Sequence, residues 1–345
     1  MPNGPLHFFE GDGMLHSLKL SGGQATYCSR YVRTYKYLLE KEAGLAFFSN
    51  KLLALCESDL PYVISLTQEG DMETLGRWDF DRKLLASMTA HPKVDEDTRE
   101  TFAFQCNPSF YPHPTPIHDF AITKRFAIFP ETQLVVEPAN VMLGRGMPVV
   151  CEQKKVPRIG ILPRYAESGS DTRWFPVPGF NAMHVTNAWE NGDDEVVVVA
   201  PNVLNIRNVF QEIEKVHFSL EKLTINMRTE KVSRKILSRK KFGVGIYQSL
   251  LYREEKSVCL FGNCRKGCFG GEPFFVSREA NAPKPNYEDE DDGFVVSYVH
   301  DESSGQSNFI VMDAKSPNLD IVAKVKLPRR VPYGFHGLFV RKNSF

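Results

Sequence analysis

The sequence predicts an all-β fold closed on itself, a β-propeller, and three observations carry the prediction. Short strand-like runs recur in pairs around turns rich in Gly, Asp and Ser. Helical periodicity is nearly absent. Aromatic residues make up 12% of the chain and 22 prolines punctuate the connections, which suits many short antiparallel strands. A propeller and a large barrel both hide strand edges by closure. The propeller is preferred because its blades aim loops at one axis, where residues far apart in sequence can meet. No strict repeat motif recurs.

Taken in chain order, the first pair runs from Met14 to Leu20 and from Gln24 to Val32 about the turn Ser21-Gly22-Gly23. A second follows Pro61 to Thr67, with the turn Gln68-Glu69-Gly70-Asp71. A third follows Lys222 to Met227, with Arg228-Thr229-Glu230. The fourth joins Phe294 to His300 with Phe309 to Met312 through Ser303-Ser304-Gly305. Helical spacing is suggested only over Val209 to His217, where Phe210, Ile213, Val216 and His217 approximate one apolar stripe.

Composition excludes several functions. The chain has 345 residues, with 42 Lys+Arg against 42 Asp+Glu, whereas a nucleic-acid binder is normally basic. Hydrophobic residues at 42% and charged ones at 24% argue against disorder, collagen and coiled coil. Length alone suggests about two domains, although large all-β folds also form one. Met1 to Gly13 shows neither a secretory signal nor a transit peptide. The apolar run Val196 to Ala200 is far below the roughly 18 residues of a spanning helix, so the chain reads as soluble or peripheral. Seven cysteines, an odd number spread thinly, suit a reducing compartment better than a disulfide scaffold.

Of nine histidines, four sit in well-defined settings: Ala90-His91-Pro92-Lys93, Ile117-His118-Asp119-Phe120, Met183-His184-Val185-Thr186-Asn187 and Gly334-Phe335-His336-Gly337. Their spacing matches no contiguous metal motif. A propeller can nonetheless assemble an axial metal site from one ligand per blade. A lone histidine is more often a core or loop residue with a backbone partner, and both readings stay open. Cys259, Cys264 and Cys268 lack a second finger-like pair, and Glu288 to Asp292 lacks the alternating ligands of a calcium loop. The basic Arg239-Lys240-Lys241 is equally uninformative. Three acids stand in apolar contexts and need partners: Glu57, Asp119 and Glu272. Each could accept the outer N–H of a metal-bound imidazole, cap a turn, or pair with Arg.

Longer motifs then identify a resemblance. They are Phe9-Glu10-Gly11-Asp12-Gly13-Met14-Leu15-His16, Glu57-Ser58-Asp59-Leu60-Pro61-Tyr62, Ala90-His91-Pro92-Lys93, His118-Asp119-Phe120-Ala121-Ile122-Thr123, Asn187-Ala188-Trp189-Glu190, Gly270-Gly271-Glu272-Pro273-Phe274-Phe275-Val276 and Leu327 to Gly337. Through them the chain resembles the plant carotenoid cleavage dioxygenases, most closely the type-four plastid subclass. The resemblance implies a seven-bladed propeller with few helices on one face, a single domain over 1–345 that begins inside the first blade. It further implies non-haem Fe2+ on His91, His118, His184 and His336, with Glu57 and Glu272 as carboxylates behind the ligands. The implied reaction splits a carotenoid double bond with O2 into two carbonyl fragments, without an organic cofactor. Phe120, Trp189 and Phe335 become candidates for tunnel lining or for plain core packing. Plastid residence is implied, with cytoplasmic residence the alternative for a chain complete as written, together with peripheral contact at a membrane or plastoglobule.

The chain also departs from the pattern. Segments of the family are missing after Glu42-Ala43, between Phe104 and Ile117, and before Gly267-Cys268-Phe269. Where the family carries a third carboxylate, this chain reads Lys240-Lys241-Phe242, which puts Lys241 in its place and predicts weakened iron binding. The alternative expectation is therefore a catalytically impaired, vestigial carotenoid-binding paralogue or an aberrant gene product.

Overall fold

The structure is a computed structural model that describes residues 13–33, 44–57, 59–95, 97–105, 114–137, 139–140, 143, 148–209, 212, 215–237, 267–278, 291–332 and 336–340. Among them, four sheets are large enough to be propeller blades. The first runs Gly44–Phe48, Lys51–Leu55, Tyr62–Leu66 and Met72–Arg77 in sequence order. The second has Ala121–Ile122 at one edge, then Phe126–Glu131, Arg158–Pro163 and Arg173–Pro176. The third is Asn187–Asn191, Glu195–Val203, Phe218–Asn226 and Val232–Ile236. In the fourth, Cys268–Gly270 and Phe274–Ser277 both pair with Gly293–Asp301, followed by Gln306–Asp313 and Ile321–Lys326. Three two-stranded ladders accompany them: Met14–Ser21 with Gln24–Tyr31, Lys93–Val94 with Thr101–Phe102, and Leu134–Val136 with Val149–Cys151.

The four hairpins expected from the sequence are all present. At the first turn Ser21 faces Gln24 in register, and Gly22 and Gly23 both hold positive φ, 57° and 76°. A two-residue turn of this hand follows the strand twist, and glycine adopts it without a Cβ penalty.

The helical stripe suggested over 209–217 rests on Phe210 and Ile213, which lie outside the described residues. The described neighbours form a 3₁₀ turn at Ile206–Asn208 and then the strand Phe218–Asn226. Val203 pairs with Phe218, which brings the two ends of this connection together. Val209 and Val216 pack with Leu134, Val203 and Ile206.

The strand Glu195–Val203 shows how blades stack. Its β-branched run is buried on both faces, as a strand covered on two sides must be. Val196, Val198 and Ala200 face one core with Ile128, Ile159, Ile161 and Phe175 of the second sheet. Val199 faces the opposite way onto Leu220. Each fully buried Val of this kind contributes roughly 1.5–3 kcal/mol.

Ring closure is made by the first hairpin. Leu15 and Cys28 join Leu52, Ala54, Tyr62 and Ile64 of the first large sheet, while Leu18 and Tyr27 pack against Val296, Phe309 and Leu327 near the chain's other end. No helix among the described residues is long and apolar enough to cross a membrane.

Candidate metal centre

Three of the four singled-out histidines occupy the same kind of place. His91, His118 and His184 each lie two or three residues before a strand, namely Lys93–Val94, Ala121–Ile122 and Asn187–Asn191. The last two strands are sheet edges. His336 comes from the segment beyond the last strand. These four side chains, drawn from separate elements, converge so that their candidate ligand atoms all lie within 4.8 Å of one another.

The inner nitrogens are close. His118 Nε2 stands 3.0 Å from His91 Nε2 and 3.1 Å from His184 Nε2. The rings meet nearly edge to face, at 71° for His91 and His118 and 89° for His118 and His184. His336 Nε2 is buried with no hydrogen-bond partner, and its ring centroid is 4.5 Å from that of His91. Burial first, and then the neighbouring imidazoles, hold His91 and His184 well below the ordinary imidazole range. At neutral pH both are therefore uncharged, the form that donates a lone pair.

Two acids sit behind the cluster. Glu57 Oε1 is 2.7 Å from His118 Nδ1. The contact is an ion-pair approach not aligned as a hydrogen bond, and an adjacent negative charge favours the proton on Nδ1, with the Nε2 lone pair then free. Glu272 Oε2 accepts the N–H of Gly337 at 2.7 Å and stands 3.7 Å from His336 Nδ1. It is thus bonded to the backbone next to His336 and lies beyond hydrogen-bond range of the ring. No carboxylate faces His184 among the described residues, and Lys241 lies outside them. Asp119, for which the sequence left an imidazole partner, a turn cap or an ion pair open, is bonded to backbone and to a cation. Its oxygens meet Phe120 N, Val185 N and Lys93 Nζ at 2.8, 2.8 and 2.7 Å.

Two residues at the site carried no signal in the sequence. The Thr89 hydroxyl accepts from His91 N at 3.1 Å and donates to the His118 carbonyl at 3.2 Å. Gly44 lies so close to the residue before His91 that a Cβ there would stand 2.2 Å from the Ala90 carbonyl oxygen. The Thr89–His118 and Gly44–Ala90 contacts are long-range, and no local pattern announces them. Phe120 is core: it stacks on Phe129 at 5.6 Å and meets Phe104 edge-on at 5.4 Å. Trp189 packs against Val199 and Leu220, and Phe335 lies outside the described residues, as do Cys259 and Cys264.

The donor set fits a first-row transition metal. Nitrogens sharing one ion at right angles, each about 2.1 Å from it, stand about 3.0 Å apart, which matches the His118–His91 and His118–His184 spacings. Four imidazoles, of which His91 and His184 are held neutral by burial, and an unpartnered buried Nε2 on His336 suit a borderline divalent cation.

Fold and site together define a β-propeller-type protein whose separate sheets deliver four imidazoles to one point. The chain belongs to the family described as retinal pigment epithelial membrane protein, whose model matches residues 2–250 and 252–341. It is 41% identical to a probable carotenoid cleavage dioxygenase 4, chloroplastic, of Arabidopsis thaliana, over 100% of this chain and 74% of that protein. That likeness bears out the type-four resemblance of the motifs. The alignment runs over 446 positions against a chain of 345 residues, so the relative carries segments inside the matched span that are missing here. A zeaxanthin 7,8(7',8')-cleavage dioxygenase, chromoplastic, of Crocus sativus is 43% identical over 86% of this chain and 94% of its own. Among solved structures, cobalt-substituted ACO of Synechocystis superposes with a TM-score of 0.75 at 18% identity, covering 97% of this chain and 88% of that one. This confirms the all-β propeller fold.

Proposed function

We propose that this chain is a non-haem Fe2+ dioxygenase that cleaves a carotenoid double bond with O2, releasing apocarotenoid carbonyl products. The convergence of His91, His118, His184 and His336 on one point carries the proposal. These four would hold the ion. Two relatives bearing carotenoid-cleaving names, each above 40% identity, support the substrate class.

When bound, the ion supplies redox chemistry toward O2 that no side chain can. The protein's part is holding and orienting. Burial keeps His91 and His184 neutral, Glu57 favours the Nδ1-protonated tautomer of His118, and Glu272 fixes the backbone beside His336. With their inner nitrogens on the ion, these histidines would not serve as acid or base. We place the activity in one domain over 1–345 and in a plastid, the compartment in the Arabidopsis relative's name. Its apolar substrate puts it at a membrane surface or plastoglobule.

Incubation of iron-loaded protein with carotenoid in detergent micelles tests the proposal. Apocarotenoid should form with O2 and vanish in His184→Ala together with bound iron. A second reading, carotenoid binding without turnover, is favoured by the lack of a carboxylate facing His184 among the described residues. It predicts that His184→Ala leaves carotenoid association intact and that the parent protein releases no product.

A further inference from the structure

Asp119 follows His118 and is 2% exposed, so its charge must be compensated inside the protein. Both oxygens are engaged, and every bond ends beside a histidine of the cluster. Oδ1 accepts the N–H of Phe120, two residues after His118, and pairs with Nζ of Lys93, two residues after His91. Oδ2 accepts the N–H of Val185, the residue after His184. One carboxylate thereby ties together the three segments that carry His91, His118 and His184. Glu272 does the same for the remaining ligand through Gly337 N.

We propose that Asp119 is a positioning residue that sets the mutual placement of His91, His118 and His184, with Lys93 as the second half of the brace. The inference rests on the reading of these histidines as metal ligands. Lys93 gives Asp119 a counter-charge, because a carboxylate this deeply buried without a cation is strongly destabilising. The ammonium also lies 5.9 Å from the Phe120 ring centroid, which narrows the positions it can take. The brace touches no imidazole. It acts through the backbone on each side of the cluster, unlike Glu57, which acts on a ring.

The test uses Co2+ alone as probe, with chelator competition for affinity, the visible Co2+ spectrum for ligand geometry, and the thermal midpoint of metal-free protein for folding. Asp119→Asn keeps the shape but loses an acceptor, and should weaken Co2+ binding about 10- to 100-fold and alter the spectrum. Glu221→Gln is the control, since Glu221 is equally buried, 1% exposed, but is engaged with Asn202, Ser219 and Arg234, none of them adjacent in sequence to a cluster histidine. It should lower the midpoint with affinity and spectrum unchanged. Lys93→Met decides the matter if Asp119→Asn does not fold. Removing a cation near the cluster raises affinity for a dication on charge alone, whereas loss of the brace lowers it and shifts the spectrum. Wild-type affinity and spectrum in folded Asp119→Asn, or unchanged or tighter binding in Lys93→Met, would overturn the proposal. Absence of Co2+ binding by the parent protein would overturn the ligand reading instead.

Discussion

Glu57 and the Asp119 carboxylate are both acids in apolar surroundings, yet they do different work. Glu57 lies 2.7 Å from His118 Nδ1, so it polarises a ring and favours the tautomer with an inward lone pair. Glu57→Gln should weaken Fe2+ binding about 10- to 100-fold, read by chelator competition at neutral pH; equal affinity would remove Glu57 from the metal centre. At this scale the sequence was informative wherever chemistry needs a particular residue type. The histidine motifs and the apolar settings of Glu57, Asp119 and Glu272 could be read directly. The partner of each acid could not, because it depends on which backbone N–H or ring the fold brings within about 3 Å. Of the alternatives open for Asp119, the fold selects backbone N–H groups and a cation. Thr89, an ordinary small polar residue, bridges His91 to His118 without any motif to mark it.

Elements are stabilised by stacking of neighbouring sheets, and the histidines inherit their positions from it. Ile161, 1% exposed, sits in the core shared by the second and third large sheets. Ile161→Ala should cost about 2–5 kcal/mol by leaving a cavity, measured by denaturant unfolding; a loss below about 0.5 kcal/mol would mean the two sheets do not share that core. Gly44 opens the strand Gly44–Phe48 against the segment of His91. In Gly44→Ala the added Cβ would fall 2.2 Å from the Ala90 carbonyl oxygen, and because that neighbour is backbone it must shift and carry His91 with it. Metal affinity and thermal midpoint should fall together; a folded variant with unchanged affinity would contradict the close approach. The hairpins were legible from their Gly-rich turns and alternating runs. At 209–217 only the flanks can be followed, where Val209 and Val216 are buried with Leu134, Val203 and Ile206.

At the scale of the whole molecule, the ends of the described chain meet. His16 Nδ1 lies 2.6 Å from the Tyr27 hydroxyl, and the Tyr298 hydroxyl reaches the His16 carbonyl at 3.4 Å across a sequence separation of 282. Burial, and then the charge of Arg329, lower the His16 pKa from 6.5 to about 4. The unfolded chain therefore binds more protons than the folded one between these values. The corresponding stability is complete above about pH 6.5 and is lost as pH falls toward 4. The thermal midpoint of the parent should drop over that window more steeply than that of His16→Gln; parallel profiles would show that His16 does not titrate with unfolding. This closure was not legible in the sequence, since no repeat marks the blades and the contact joins residues near opposite ends. The four-histidine set was legible, and its role is decided most directly by iron content measured alongside product formation in the purified full chain. The expected result is stoichiometric Fe2+ with carotenoid cleavage in the parent, and loss of both in a folded His184→Ala protein. Folded parent protein that takes up no iron, or a His184→Ala protein that retains both iron and cleavage, would contradict it.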